Sequence, residues 1–465
     1  MLFPTFPFFV FFLVAWSVYW LLRRNGLRLA WLLAASAIFY AHWNPRFLVL
    51  IALSTSVDYL VALRLPRTTH PGARRAFVAL SVGVNLGILF LFKYGALAAE
   101  TAGAAIRLLG SDLRVPVPSF VLPLGISFYT FEAISYVVDV SRGRLAPVRN
   151  PLRYALFILF FPHLVAGPIV RGGELLPQLA SARRPDWRRF VVGLRLFLLG
   201  LVKKCVLADR LAAAADPVFA SPESFGTAAV WLGVLAYAGQ IYGDFSGYSD
   251  MAVGLAHTLG LKLPDNFRMP YLASDVAEFW RRWHITLSRW LRDYLYVPLG
   301  GSRHGEGRTR LNLLVTMLLG GLWHGAAWHF VAWGGYHGVL LVLHRAFFRG
   351  RPARLPRGVR VASTFFLVTV GWVLFRSPTL TDAVTVLSRM LVPAPGGGLP
   401  AEVAAATCAL LLALALGHAV GARVDLSALL DRMPYAVQGS LLAATLLFVQ
   451  LLTPASGLTF IYFQF

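Results

Sequence analysis

The chain has 465 residues, of which 57% are hydrophobic and 14% aromatic, a composition that excludes an ordinary soluble enzyme. Apolar runs of about 18 or more residues recur along it, as expected of transmembrane helices. A formal net charge of +22 would suggest nucleic-acid binding in a soluble protein. Here the arginines cluster in short loops between apolar runs, which is the positive-inside pattern. We therefore predict a membrane protein in contact with lipids, with no nucleic-acid partner.

The first five apolar runs predict membrane crossings whose basic flanks fall on one side. These runs cover residues 3–22, 29–42, 47–63, 78–98 and 120–140, and arginine clusters follow the first, third and fifth. If each run crosses once, all three clusters lie in the cytoplasm and the N-terminus faces outward. The first run has no basic region before it and no cleavage site close behind it, so we predict a retained helix.

The stretch F-P-H-L-V-A-G-P-I at Phe161 to Ile169 does not fit a simple crossing. Basic residues flank its apolar run on both sides, and prolines and a glycine within it interrupt a helix. A re-entrant segment satisfies both facts, because non-helical backbone at membrane depth is tolerated only where protein or a cavity surrounds it. With the later runs, and an aromatic tail F-I-Y-F-Q-F outside the membrane, we predict one domain over residues 1–465 with roughly ten to twelve spans.

Residues 274–345 form the predicted catalytic core segment. Their first part has the pattern of one amphipathic helix. One face carries Trp280, Trp283, Leu287, Leu291 and Tyr294, and the neighbouring face carries Arg281, His284, Ser288 and Arg292. An interfacial anchor helix has the same pattern. His284 favours a cavity-facing role, because it lies where the polar and apolar faces meet.

His324 lies in the sequence W-H-G, at a predicted break between two apolar runs. Ionisable residues at membrane depth are costly and mark functional sites. A neutral imidazole in a dry pocket suits removal of a hydroxyl proton, whereas in a soluble core the same residue would more often only pack helices. Gly320, Gly321 and Gly325 permit close backbone approach or a break.

Other polar residues near these histidines carry weaker signals. No carboxylate lies in residues 311–343, so the recurring histidines there do not predict a metal site. Asp244 has two interpretations of equal weight: it orients a histidine or binds substrate, or it forms an ion pair with Arg281 or Arg282. Lys203 and Lys204 are interpreted as marking the membrane boundary rather than lining a polar cavity.

Several long motifs resemble the membrane-bound O-acyltransferase family, in the branch of bacterial alginate O-acetyltransferase membrane subunits. They are F-W-R-R-W-H-I-T-L-S-R-W-L-R-D-Y-L-Y-V-P-L-G-G-S-R from Phe279, G-G-L-W-H-G-A-A-W from Gly320, L-K-L-P-D-N-F-R-M-P-Y from Leu261 and Q-I-Y-G-D-F-S-G-Y-S-D from Gln240. The resemblance implies an all-α polytopic fold, a ring of transmembrane helices with re-entrant segments around a central funnel. It also implies a multi-pass protein of the bacterial inner membrane.

The resemblance also implies a function and a set of site residues. The hallmark histidine of the family falls on His324 and the second characteristic polar position on His284, so both are expected to be catalytic. The expected acyl donor is cytoplasmic acetyl-CoA, a substrate, with no permanently bound cofactor and no metal. The expected partner is a periplasmic acetyltransferase of the SGNH-hydrolase type, or a polysaccharide-modification complex that acetylates a polymer such as alginate.

Two further groups of residues complete the predicted site. The arginines expected to bind the phosphates of the donor on the cytoplasmic side are Arg281, Arg282, Arg289 and Arg303. The residues expected to line a polar funnel are Asp244, Ser246 and Trp323. A transporter or flippase without covalent chemistry is the alternative, because broken helices and a polar funnel suit both classes. A scaffold subunit of a polysaccharide synthase is a third.

Overall fold

The computed structural model describes residues 1–111, 113–348, 350 and 355–452, so the aromatic tail at residues 460–465 lies outside the described residues. Over the described ranges the chain is helical, with an isolated parallel bridge between Phe225 and Gly397 and no strand. The predicted all-α class is therefore confirmed.

Four helical stretches are long and apolar enough to cross a membrane, as judged by length and composition over the described residues. They are Phe47–Arg67, Pro71–Leu108, Arg357–Arg376 and Ala401–Gly421, with shorter apolar helices at Phe6–Leu21 and Tyr435–Leu451. These helices are those of a membrane protein. The larger number of spans, the re-entrant segments and the funnel stay predictions.

The chain forms two compact units, which are described separately. The first contains Met1–Leu194 and Ala252–Pro264, and the second contains Arg195–Met251 and the described residues from Asp265 onward. The prediction of one functional domain over residues 1–465 therefore stays a prediction.

The first unit is built around a helix whose first twelve residues are all buried. Its helices are α1 (Phe6–Leu21), α2 (Asn25–Ala41), α3 (Phe47–Arg64), α4 (Pro71–Leu89), α5 (Gly95–Leu108), α6 (Ile126–Ser141), α7 (Pro151–Leu159), α8 (Phe161–Leu164), α9 (Gly172–Leu175) and the start of α10 (Trp187–Leu201). Every residue of α6 from Ile126 to Val137 is buried, and this helix packs against α3, α4 and α7. A helix that is buried on all sides belongs to the interior of its unit.

The predicted helix break at Phe161 to Ile169 is confirmed. Helix α7 ends at Leu159, Phe160 has extended backbone, and the four-residue α8 is followed by irregular chain as far as α9. The backbone N–H of Phe161 donates a hydrogen bond to the Ser36 hydroxyl oxygen at 3.2 Å. Buried backbone groups need such partners wherever a helix is interrupted.

A buried pair of polar side chains holds the irregular chain in place. Oε1 of Glu132 accepts the backbone N–H of Val170 at 2.9 Å and lies 3.0 Å from Nδ1 of His163. Gly125 begins α6 in the left-handed region with φ 72°, and a Cβ there would collide with the carbonyl oxygen of Leu164. Only glycine combines this backbone conformation with so close an approach.

The second unit contains the remaining helices. In chain order these are the end of α10, α11 (Asp209–Ala220), the first part of α12 (Thr227–Thr258), α13 (Val276–Arg282), α14 (Ile285–Leu291), α15 (Gly305–His324), α16 (Trp328–Phe347), α17 (Arg357–Arg376), α18 (Leu380–Leu391), α19 (Ala401–Gly421), α20 (Leu426–Asp431) and α21 (Tyr435–Leu452). Helices α15 and α16 form a tightly packed hairpin. The backbones touch where Gly321 faces the Phe330 carbonyl and Gly334 faces the Met317 carbonyl. The predicted close approach at Gly321 is confirmed.

We expect Gly334→Ala to lower the free energy of unfolding by about 1–3 kcal/mol, because the added methyl would overlap the carbonyl of Met317. Gly335→Ala is the matched control. Its Cβ would meet Leu318 Cδ2 at an ordinary 3.4 Å, and alanine has the higher helix propensity. Thermal unfolding in detergent measures both variants, and equal midpoints would contradict the close-contact interpretation.

Candidate functional site

The continuous amphipathic helix predicted around His284 is wrong. The structure has two seven-residue helices, α13 and α14, separated by Trp283 in extended conformation and His284 at φ 42° and ψ 54°. A non-glycine residue in the left-handed region is uncommon and persists only where the surroundings hold it. His284 is completely buried. The sequence keeps a helical periodicity through this region, although the chain turns sharply at His284.

Asn266 holds the break through three separate hydrogen bonds to the chain around His284. Its backbone carbonyl accepts the N–H of Ile285 at 3.0 Å. Its side-chain oxygen accepts the N–H of Thr286 at 3.2 Å and the hydroxyl of Thr286 at 2.9 Å. A further backbone bond, from Arg268 N–H to the Arg282 carbonyl at 2.9 Å, ties the two segments together. The segment that contains Asn266 thus supplies hydrogen-bond partners for backbone groups that would otherwise be paired within a continuous helix.

The same side-chain oxygen decides the tautomer of His284. Nδ1 of His284 lies 3.1 Å from Oδ1 of Asn266. Because this oxygen already accepts the N–H of Thr286, it is an acceptor, and Nδ1 must carry the proton that it donates. The neutral ring therefore has its lone pair on Nε2. Nε2 is buried and has no hydrogen-bond partner among the residues that the structure describes.

Burial also keeps His284 uncharged. It lowers the pKa of the imidazole to about 3, because a cation in a dry environment loses its hydration. His284 lies outside the helices that qualify as membrane spans. At neutral pH it is a neutral ring whose acceptor nitrogen has a fixed direction. Phe245 packs edge-on against it, with the ring centroids 4.7 Å apart.

His324 is the last residue of α15, and the structure brings it next to His284. The two imidazole centroids lie 6.3 Å apart. Trp323 lies against both rings, 5.9 Å from His284 and 5.1 Å from His324. Trp333 and Phe375 meet His324 edge-on at 5.0 and 5.3 Å. The two predicted catalytic histidines thus share one aromatic enclosure in the second unit.

The indole of Trp333 is the hydrogen-bond donor that the sequence did not single out. Its Nε1–H is buried and makes no hydrogen bond within the described part of the chain. A developing oxyanion needs such a donor. His284 in this tautomer has no N–H on Nε2 to offer, so the indole is the better donor. Asn266 and Phe375 were also missed; the motif L-K-L-P-D-N-F-R contains Asn266, and only its contacts reveal the role.

The polar funnel stays a prediction, and the structure shows only the surroundings of its predicted residues. Ser246 is completely buried, one residue after the Phe245 that packs on His284. Asp244 does not pair with Arg281 or Arg282, as one interpretation had it. Its Oδ1 lies 2.7 Å from Nζ of Lys204.

Lys203 and Lys204 are each paired with carboxylates. Lys204 is buried and also lies 2.8 Å from Asp209, whereas Lys203 pairs with Asp250 at 2.6 Å. Both lysines belong to the π-helical stretch Val202–Ala208, which precedes α11. A buried ion pair persists only when its partners compensate the lost hydration. The carboxylates around these lysines are therefore structural partners of buried charge.

The four predicted donor-binding arginines fall into two groups. Arg282 donates to Glu278 twice, at 3.0 and 2.7 Å. Burial would raise the pKa of Glu278, but hydrogen bonds from Ser274 and Arg282 lower it to about 2. Arg281, Arg289 and Arg303 are exposed, and the described residues offer them no ion pair. Only these three are available to a phosphate without first breaking a structural contact.

Comparisons with known proteins agree with the motifs. A sequence model of the membrane-bound O-acyltransferase family matches residues 141–376. The chain is 42% identical to a probable alginate O-acetylase AlgI of Pseudomonas putida, over 84% of this chain and 80% of that protein. It is 38% identical to a peptidoglycan O-acetyltransferase of Helicobacter pylori, over 78% and 73% of the two chains. A teichoic acid D-alanyltransferase of Bacillus subtilis is 26% identical over 54% and 68%.

The neutral His284 predicts an acid-dependent loss of stability. Its folded pKa of about 3 lies below the unfolded value, so the unfolded chain takes up a proton first as the pH falls. Above about pH 6.5 the ring is neutral in both states, and the free energy of unfolding keeps its full value. Below that pH, the free energy of unfolding decreases by up to about 1.4 kcal/mol per pH unit. His284→Asn should show a smaller decrease, because asparagine tolerates the left-handed backbone and does not titrate. Thermal unfolding at pH 7.5 and pH 5 tests this difference; equal decreases in both proteins would count against it.

Proposed function

The chain belongs to the membrane-bound O-acyltransferase family, and from that premise we propose that it moves an acetyl group from cytoplasmic acetyl-CoA across the bacterial inner membrane. It is an O-acetyltransferase, in keeping with the family match and with relatives named for O-acetyl transfer. The donor, the transfer across the membrane and the acceptor are the proposed parts.

One observation carries the proposed chemistry. Two buried imidazoles lie 6.3 Å apart, and one of them, His284, presents an unprotonated Nε2. A base inside a dry enclosure takes a hydroxyl proton without competition from water. The absence of charge on His284 suits a neutral acceptor hydroxyl, which loses its hydration when it enters such a site.

The proposed reaction is a direct transfer. The acceptor hydroxyl donates its hydrogen bond to the imidazole of His324, which takes the proton as the oxygen attacks the thioester carbonyl. His284 Nε2 accepts a hydrogen bond from a neighbouring donor group of the acceptor, which orients it. The Trp333 indole N–H stabilises the developing oxyanion. The carbon–sulfur bond then breaks, and the proton held by His324 passes to the leaving thiolate. The products are the acetyl ester and the free thiol of coenzyme A.

We propose that His324 stands where donor and acceptor reach each other from opposite sides of the membrane. Helix α15 ends at His324 and α16 begins at Trp328, after a short extended stretch. An acetyl group is small enough to pass such a break, whereas coenzyme A is not. The donor phosphates would be held by the exposed Arg281, Arg289 and Arg303.

The acceptor is proposed from the names of the relatives. Those at 42% identity are named for alginate O-acetylation, so an exopolysaccharide such as alginate is the proposed final acceptor. We propose a periplasmic acetyltransferase of the SGNH-hydrolase type, or another polysaccharide-modification complex, as the partner that receives the acetyl group. A transporter or flippase lacking covalent chemistry would bind donor or glycan without producing free coenzyme A.

We expect His324→Ala to lower the turnover number at least about 100-fold, because general-base catalysis contributes roughly that much or more. Release of free thiol from acetyl-CoA, with purified protein in nanodiscs, measures the rate. His344→Ala is the matched control, since this histidine lies near the other end of α16 and outside the enclosure. Near-normal turnover in a folded His324→Ala protein would remove His324 from the role of base.

We expect the double variant Arg281→Gln and Arg289→Gln to raise the KM for acetyl-CoA about tenfold while lowering kcat less, because guanidinium groups bind phosphate in the ground state. The double variant Arg423→Gln and Arg432→Gln removes the same charge from exposed positions elsewhere in the second unit and should leave KM unchanged. Equal effects of the two double variants would show that net charge, and not these positions, governs donor binding.

A further inference from the structure

The first unit has a basic pocket that the proposed acyl transfer does not use. It is open to the surface, has a volume of about 540 Å³, and is lined mainly by Arg183, Arg184, Asp186, Trp187, Arg189 and Gly260. From the sequence, the positive-inside pattern of membrane topology is a sufficient explanation for this arginine cluster. Topology needs positive charge on one side, but it does not need the charges to be fixed in a concave site.

Two of the guanidinium groups are held by backbone carbonyls. Arg183 donates through both Nε and Nη2 to the carbonyl of Gln178, and Arg189 donates through Nη1 to the carbonyl of Gly260 at 3.1 Å. A buried Arg28 in turn donates to the carbonyl of Arg183. Neutral carbonyls orient a guanidinium without neutralising it. The charges are therefore both fixed in direction and available to an anion.

A single carboxylate belongs to the pocket lining. Asp186 lies 3.7 Å from Nε of Arg189, and its Oδ1 accepts the backbone N–H of the same residue at 3.2 Å, at the start of α10. With Arg183, Arg184 and Arg189 opposing it, the formal charge of the lining is 3 − 1 = +2. The amino end of the fifteen-residue α10 adds a favourable dipole.

An aromatic face completes the site. Trp187 is 62% exposed, and its ring stacks on Phe190 with centroids 5.4 Å apart and an interplanar angle of 24°. Phe190 in turn packs against Trp16 at 5.3 Å. One face of the indole is thus pinned while much of the ring stays accessible. Gly260, at φ 75°, admits the Arg183 side chain, because a Cβ there would come within 3.1 Å of Arg183 Cβ.

We propose that this pocket binds a phosphate ester, with the arginines on the phosphate and the Trp187 ring against the group that the phosphate carries. Its volume falls in the range of small-molecule sites. Two sources have this chemistry: a soluble nucleotide such as the phosphorylated adenosine end of a coenzyme, and the headgroup of an anionic phospholipid. The pocket lies within the first unit and its lining contains none of the arginines at positions 281, 289 and 303. Its binding does not depend on acyl transfer.

The test measures binding, so it succeeds or fails independently of the proposed enzyme activity. Adenosine 3′,5′-bisphosphate is titrated onto the full chain in phosphatidylcholine nanodiscs by calorimetry. In a second arm, retention of phosphatidylglycerol over phosphatidylcholine is measured by native mass spectrometry. Arg183→Gln with Arg189→Gln should weaken the bound phosphate ester about tenfold, which corresponds to about 1.4 kcal/mol. Arg23→Gln with Arg24→Gln, at exposed positions outside the pocket, is the charge-matched control.

Further variants protect the test against a folding defect. Arg184 makes no hydrogen bond that the described residues show, so Arg184→Gln should keep the thermal midpoint while still weakening binding. Trp187→Ala should weaken the nucleotide more than the lipid, because a planar base stacks on indole. Binding of either ligand that depends on these arginines supports the site and names the source. Absence of binding in both arms, or binding equal in pocket and control variants, overturns the proposal.

Discussion

The hydrogen bonds of one amide, that of Asn266, support the arrangement of the candidate active site. A chain that turns sharply inside a buried region loses helical hydrogen bonds, and each unsatisfied group there costs about 1–3 kcal/mol. The side-chain oxygen of Asn266 accepts hydrogen bonds from the N–H and hydroxyl of Thr286, after the break, and also from the Nδ1–H of His284. The backbone distortion and the orientation of the imidazole therefore have the same cause. A residue that only capped the helix, or only contacted the ring, would leave the other requirement unmet.

Close backbone packing supplies the second half of the site. Helices α15 and α16 approach at glycines, so that His324, Trp323 and Trp333 are brought into one aromatic enclosure. In a membrane protein, apolar burial against lipid provides little drive for helix association, and close contact between small residues becomes important. Burial in the enclosure keeps the imidazole of His284 neutral, so that its Nε2 carries no proton.

Charged residues in this protein have different roles that depend on what they contact. Lys204 lies between two buried carboxylates, and its charge is compensated within the second unit. Arg282 is bound to Glu278 and supports α13. In the first unit, Arg183 and Arg189 contact backbone carbonyls and keep their charge available. The net charge of +22 therefore includes structural cations, exposed cations and cations oriented for an anion.

The sequence by itself determined the helical class, the membrane character and the family, because these depend on composition, apolar run length and contiguous motifs. It also singled out His284 and His324, which the structure places side by side. It also located the breaks near Phe161 and His324, where proline and glycine act locally. It failed at His284, where helical periodicity continues through a turn. Hydrogen bonds to one distant residue, Asn266, impose this turn, and that residue lies 18 positions before His284 and 20 before Thr286. Asn266, Trp333 and the partner of Asp244 were decided by tertiary structure, because a buried polar atom acquires its role from whatever the fold places beside it.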